Sequence, residues 1–307
     1  MSTAAVLLAA GKGTRLWPLT EVRAKAAVPF RGVPVIRSLA DQLAKAGITQ
    51  LAVNLHHLPE TVRASLAGMN VTYSYEDCLL GTSGALHPLR DSLRDSWFWT
   101  VNAKIVIDLP PLDPTSHSAV LTAVLVSAPL GAPYTRVEVT GEPPRIRGFS
   151  PSTTHDGSGL VYTGIQLVSP RIWEFLPEPG FSHFTTDVYP RLWAGGETVA
   201  ACVVTTPWLE FSTLSRYLTH HLRLGARREW WGRGADVAST ARVSDSVVWD
   251  GVAVEHGARV HRCILADGVR IRAGRSLEAA AVVPLECSGP DSRGEILDDN
   301  LVVAIPS

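Results

Sequence analysis

A strand-like apolar run, Ala4–Ala10, passes straight into a glycine-rich loop: Leu7-Leu8-Ala9-Ala10-Gly11-Lys12-Gly13-Thr14-Arg15-Leu16-Trp17-Pro18-Leu19-Thr20, followed by Lys25. A strand this apolar must be buried. Glycines at its exit let backbone N–H groups approach a phosphate closely. Arg15 and Lys25 bring charge suited to phosphate oxygens. The fold therefore has to bury a strand and open a loop at its carboxyl end.

Strand-like and helix-like segments then alternate. Val35–Ala46 carries apolar residues at helical spacing and stops at Gly47, a C-cap. Gln50–Asn54, Val71–Tyr75, Trp97–Val101, Ala119–Val126 and Val161–Val168 read as strands, and Pro59–Ala67 as a helix. Val137–Val139 and Arg145–Phe149 read as a hairpin, and residues 153–158 as a polar loop. Ile172–Phe175 starts a helix, and Thr186–Trp193 forms another that stops at Gly195-Gly196. The alternation predicts an α/β fold with a Rossmann-like, mixed but mainly parallel sheet. Ligands in such sheets lie beyond the carboxyl ends of the strands.

Beyond residue 236 the pattern changes. Val243, Val248, Val254, Val260, Leu265 and Ile271 recur at steps of five or six, with Gly251, Gly257, Gly268 and Gly274 between them. This spacing predicts a short left-handed parallel β-helix of hexapeptide repeats, about two coils long; ordinary antiparallel hairpins are the other reading. The expected organisation is a first domain over residues 1–221, a connector over 222–236 and the repeat module with a C-terminal tail over 237–307. Solenoid units need neighbours and exposed edges need covering. A homo-oligomer, most simply a dimer, is therefore expected.

The chain has 307 residues, 46% of them hydrophobic and 19% charged, enough for a large core and against disorder. A net charge of −1 predicts neither a nucleic-acid partner nor binding to an anionic membrane. No apolar run reaches the ~18 residues that span a bilayer. The apolar N-terminus lacks a basic region and reads as strand, not signal peptide. Cys78, Cys202, Cys263 and Cys287 are scattered, which predicts free thiols in a cytoplasmic protein.

The glycine loop with both cations and Pro18-Leu19-Thr20 resembles the signature of the sugar-1-phosphate nucleotidyltransferases, the nucleotide-sugar pyrophosphorylases. Glu76 followed by Leu80-Gly81-Thr82-Ser83-Gly84 is similar to the family segment that lies against the nucleotide base. Tyr162-Thr163-Gly164-Ile165 is similar to its strand near the sugar. The resemblance implies a glycosyltransferase-A-like nucleotidyltransferase fold with a nucleoside triphosphate and a sugar-1-phosphate as substrates. The mannose-1-phosphate guanylyltransferase-like branch is nearest in appearance, with a uridylyltransferase close behind. A sugar-phosphate oxygen, already ionised because the second pKa of a phosphate monoester is about 6, would attack the α-phosphorus. The catalytic cations implied are Arg15, on the β- and γ-phosphates, and Lys25, on the reacting phosphates. Ala9, Ala10, Gly11, Gly13, Thr14, Glu76, Gly81, Thr82, Gly84 and Asn102 are the nucleotide-binding residues implied, and Thr163 and Gly164 the sugar-binding ones.

Two positions depart from the family. Where it places Asn-Gly-Asp, whose aspartate binds Mg²⁺, this chain has Asn102-Ala103-Lys104. Where it places a second metal aspartate, this chain has Glu210, and Ala24 replaces the usual proline before Lys25. Exchanging carboxylate for ammonium should sharply weaken Mg²⁺ binding, since that ion relies on carboxylates and substrate phosphates. Asp108 cannot substitute, because four strand residues span about 13 Å. Glu210 is left as a metal ligand, or as an ion-pair partner of Lys104. A non-catalytic, nucleotide-binding regulatory paralogue is the alternative function.

Overall fold

The computed structural model describes residues 4–110, 119–129, 134–151, 158–225, 230–289 and 292–306. The polar loop expected at 153–158 lies outside them except for Ser158, as do residues 226–229 of the expected connector. The chain forms two compact units. The first comprises Met1–Gly11, Leu39–His57 and Leu66–Trp208; the second comprises Lys12–Ser38, Leu58–Ser65 and Leu209–Ser307.

The first unit is built on a nine-stranded sheet. Its strands are β1 (Ala4–Leu8), β2 (Gln50–Leu55), β3 (Val71–Tyr75), β4 (Phe98–Asn102), β5 (Leu121–Ser127), β6 (Arg136–Thr140), β7 (Arg145–Ser150), β8 (Leu160–Val168) and β9 (Val199–Val204), in the order β3-β2-β1-β4-β8-β5-β9-β7-β6. The half from β3 to β4 is parallel. Beyond it β8 runs antiparallel to β4 and β5, β9 is parallel to β5, and β7 is antiparallel to its neighbours. Most of the parallel pairing thus lies in the N-terminal half, where helices separate the strands, and the sheet is mixed rather than mainly parallel. β1 is buried because strands flank it on both edges and its residues are apolar on both faces.

Helix ends follow their glycines. After Val35–Lys45, the Ile48 N–H donates to the Leu43 carbonyl and that of Gly47 to Ala44, with Gly47 at φ +86°. This is a Schellman ending. Two expected helices take another form: Pro170–Glu174, where Ile172–Phe175 reads as a helix start, is a single tight turn, and a wide turn over Phe184–Val188 precedes the Tyr189–Ala194 helix.

In the second unit the C-terminal repeats form three parallel three-stranded ladders. Asp236–Val237, Ala253–Val254 and Arg270–Ile271 stack on one side. Arg242–Ser244, Arg259–His261 and Ser276–Glu278 stack on another. On the third, Val247–Val248 and Ile264–Leu265 lead to Ala280–Pro284. The structure therefore has three coils, one more than the spacing suggested. Contacts between coils recur at 17 residues, one short of three hexapeptides. Two corners use the expected glycines, at φ +65° to +71°. The third is turned by Asp245, Arg262 and Ala279, also at positive φ. Val248, Val254, Val260, Leu265 and Ile271 are buried inside the coils. Glu295–Leu297 and Asn300–Ala304 form a hairpin that pairs with Ala280–Pro284 and extends the last coil. All four cysteines are free.

Candidate functional site

In the first unit the sequence-predicted residues gather at the carboxyl edge of the parallel strands. Leu8 lies in register between Asn54 and Asn102. The chain turns at Ala9, whose buried N–H donates to Asn54 Oδ1 at 2.6 Å. Asn54 Nδ2 donates to Glu76 Oε1 at 2.7 Å, and Glu76 Oε2 accepts the Leu80 N–H at 2.9 Å. Each Glu76 oxygen thus takes a protein donor, so this buried carboxylate ties the strand exit to the Gly81 segment. The Ala9 amide is likewise committed. Asn54 was not singled out in the sequence, where it was only the last residue of a strand.

The Gly81–Gly84 turn is seated on the loop after Gly180. Ser83 and Gly84 donate from their amides to the Ser182 carbonyl, and the two serine hydroxyls lie 2.8 Å apart. A methyl on Gly81 would collide with the Ser182 carbonyl, and one on Gly84 with that of Gly180. These glycines let the turn approach the protein's own backbone closely. The Thr82 N–H donates to His183 Nδ1 at 3.2 Å, and Thr82 Oγ1 accepts the Phe184 N–H.

Asn102 ends β4 opposite Gly164, where a methyl would lie 2.5 Å from Asn102 Nδ2. Thr163 is buried, with its hydroxyl donated to the Val124 carbonyl at 2.8 Å. Lys104 follows in a tight turn, its N–H on the Asn102 carbonyl.

In the second unit, Gly13 opens a tight turn over Thr14–Leu16 at φ +66°. A methyl there would lie 2.8 Å from Thr20 Cγ2 and 2.9 Å from Lys25 Cβ. Gly13 and Lys25 are thus packed together because Gly13 has no side chain. Thr14 and Arg15 are exposed and Lys25 is half-buried. At Gly11, which closes the first unit's N-terminal stretch, nothing lies within 4 Å of the place where a methyl would stand. A loop with exposed backbone, the exposed Lys12 and Arg15 cations and the nearby Lys25 ammonium is suited to a polyphosphate.

Glu210 ends the Trp208–Glu210 strand. Its Oε2 accepts Arg216 Nη1 at 2.7 Å, and the same nitrogen donates to Ser212 Oγ at 2.8 Å. Arg216 sits in the first turns of the Leu214–Arg223 helix, capped by Thr213 Oγ1. The resemblance implies Mg²⁺, and these residues do not fit it. Lys104 stands where one carboxylate ligand is expected, and the Glu210 carboxylate is held by a guanidinium that a cation would have to displace. Among the described residues no group of three or more His, Cys, Asp or Glu could hold a metal. Arg216 escaped the sequence analysis because nothing in its surroundings marks a site.

The pattern of the family described as nucleotidyl transferase matches residues 4–225, and that of a GlmU-like, C-terminal hexapeptide matches residues 229–279. The chain is 26% identical over 296 residues to mannose-1-phosphate guanylyltransferase of Mycobacterium tuberculosis, covering 89% of this chain and 82% of that protein. It is 26% identical over 237 residues to UTP–glucose-1-phosphate uridylyltransferase of Synechocystis, covering 69% and 61%. Among solved structures, HddC from Yersinia pseudotuberculosis complexed with GMP-PN aligns at a TM-score of 0.62 and 21% identity, covering 73% of this chain and 100% of that one. That likeness supports the fold.

Proposed function

The chain belongs to the nucleotidyl transferase family, and from that premise we propose that it transfers a nucleotidyl group from a nucleoside triphosphate to a sugar-1-phosphate. A sugar-phosphate oxygen bonds to the α-phosphorus. The bond to the β-phosphate oxygen breaks, and pyrophosphate leaves with the electron pair. The nucleophile is already an anion, so no general base is needed. The protein's task is to hold two polyanions in line and neutralise the charge that develops. The observation that carries this reading is the Gly13 turn packed on Lys25 beside exposed Arg15.

In this reading Arg15 holds the β- and γ-phosphates and Lys25 the reacting phosphates. Backbone of Ala9–Thr14 lines their path, the Gly81–Gly84 turn with Asn102 receives the base, and the Thr163–Gly164 strand lies near the sugar. Lys104 supplies charge where the family keeps a metal carboxylate. The Leu-Gly-Thr-Ser-Gly segment and the repeat module support guanine and mannose-1-phosphate as the first pair to test, with uridine second. The three-sided solenoid is read as left-handed. Ile296, 63% exposed on the Glu295–Leu297 edge strand, supports self-association as a dimer. Free cysteines support a cytoplasmic setting.

A nucleotide-binding regulatory paralogue is the second reading, favoured by the Glu210–Arg216 pair. Pyrophosphate release across a panel of nucleoside triphosphates and sugar-1-phosphates, with nucleotide binding measured in parallel, decides between them. Release from one pair supports transfer. Binding without release from any pair supports the regulatory reading.

A further inference from the structure

Arg23, two residues before Lys25, is held by the repeat module. Its Nε lies 2.5 Å from Asp267 Oδ2, and its Nη2 lies 2.8 Å from Asp267 Oδ1 and 2.5 Å from Asp250 Oδ2. Asp250 and Asp267 occupy the same position in successive coils. The Asp250 N–H donates to Asp267 Oδ1 at 3.0 Å, and Asp250 Oδ1 accepts the Arg233 N–H at 2.7 Å. The carboxylates are therefore fixed by the solenoid backbone before they receive the guanidinium. The Arg23 side chain is 15% exposed, and its Cζ lies 5.5 Å from the centre of the Trp249 ring. A fork on one carboxylate, a second carboxylate and an aromatic face set the orientation of an arginine in a way a lysine cannot reproduce.

The residues around Lys25 are pinned as well. The Ala24 N–H donates to Thr61 Oγ1 at 3.0 Å. The Pro29 carbonyl accepts the Tyr217 hydroxyl at 2.5 Å, and that hydroxyl accepts the Trp249 indole N–H at 3.0 Å. The Leu19–Glu21 turn packs against Ala280–Pro284. The segment bearing Lys25 is thus fastened to the coils on both sides of the lysine, while Lys25 Cβ packs where Gly13 has no side chain. A mechanical path runs from Asp250 and Asp267 through Arg23 to Lys25 and the glycine turn.

We propose that Arg23, clamped by Asp250 and Asp267, is a positioning residue for Lys25, so that affinity for nucleotide phosphates is set by the repeat module. This rests on the reading of Lys25 as a phosphate ligand. Charge and position predict opposite signs here. Asp250→Asn with Asp267→Asn makes the unit more positive, which by charge alone tightens phosphate binding; loss of position weakens it. Arg23→Lys keeps the charge and loses the fork.

The test is titration of the full chain with guanosine triphosphate, uridine triphosphate and the matching nucleosides, in the wild type, Arg23→Lys and the double Asn variant. Circular dichroism checks the fold of each. The expected result is an affinity for the preferred triphosphate about tenfold weaker in both variants, with nucleoside affinity unchanged. Arg23→Lys keeps the question decidable if the double variant does not fold. Triphosphate affinity that is unchanged or tighter in folded variants overturns the positioning role and leaves the proposed function standing. Equal weakening for triphosphate and nucleoside also overturns it, as a general loosening. A wild-type chain that binds neither triphosphate overturns the proposed function and this inference with it.

Discussion

Arg216 Nη1 lies 2.7 Å from Glu210 Oε2, and both side chains are largely buried, at 23% and 8% exposure. A charge-assisted contact in such surroundings is held firmly, and removing one partner strands the other charge. Arg216→Ala is expected to destabilise the protein by about 3–5 kcal/mol, measured by denaturant unfolding. Lys104→Asp alone is expected to leave Mg²⁺ binding undetectable by calorimetry, because Glu210 keeps its guanidinium. Mg²⁺ binding by this variant would show that the pair is no obstacle.

The glycines separate a ligand contact from a folding requirement. Gly11→Ala meets nothing within 4 Å, so its stability should match the wild type while triphosphate affinity drops about tenfold. Gly13→Ala combines φ +66° with contacts at 2.8 and 2.9 Å and should lose both, with about 1–2 kcal/mol of stability. Gly81→Ala, facing the Ser182 carbonyl, should not accumulate as folded protein. Thermal melts and nucleotide titration of the three variants distinguish these outcomes.

Glu76→Gln tests the link between the strand exit and the Gly81 segment. Asn54 Nδ2 and the Leu80 N–H both donate to the carboxylate, and an amide must turn its NH₂ toward one of them. A cost of about 1–3 kcal/mol is expected, read as a lower denaturation midpoint with an unchanged slope.

His220 and His221 give the second unit a defined acid response. Burial pushes both imidazoles down to about 4. Arg216 and Arg223 add to the fall at His220 against Glu210, and His220 and Arg31 add to it at His221. Unfolded histidines titrate near 6.5, so between that pH and about 4 the unfolded chain binds more protons. Stability is complete above pH 6.5 and falls as pH drops through this window. A His220→Leu variant should show a shallower decline in melting temperature between pH 7 and pH 5 than the wild type. Parallel declines would exclude this histidine as a source.

What was legible in the sequence follows from local physics. The apolar Ala4–Leu8 run, the Schellman ending at Gly47 and the glycine corners of the coils each depend on residues within a few positions. The third corner escaped notice because Asp245, Arg262 and Ala279 adopt positive φ without being glycine. That also hid the 17-residue coil. Arg23 and Asp250 are 227 residues apart, and no periodicity announces their contact. Gly81 and Gly84 stand out only through a family resemblance, and the loop at Gly180–Ser182 that constrains them is distant in the chain.

The most direct test of transfer by protein cations is the initial rate of pyrophosphate release, with guanosine triphosphate and mannose-1-phosphate or whichever pair reacts in the panel, measured with Mg²⁺ and with excess chelator. Release is expected to persist under chelation and to fall when Lys104 or Lys25 is replaced by Ala. Release that requires Mg²⁺, or bound nucleotide with no release from any pair, would contradict transfer by protein cations.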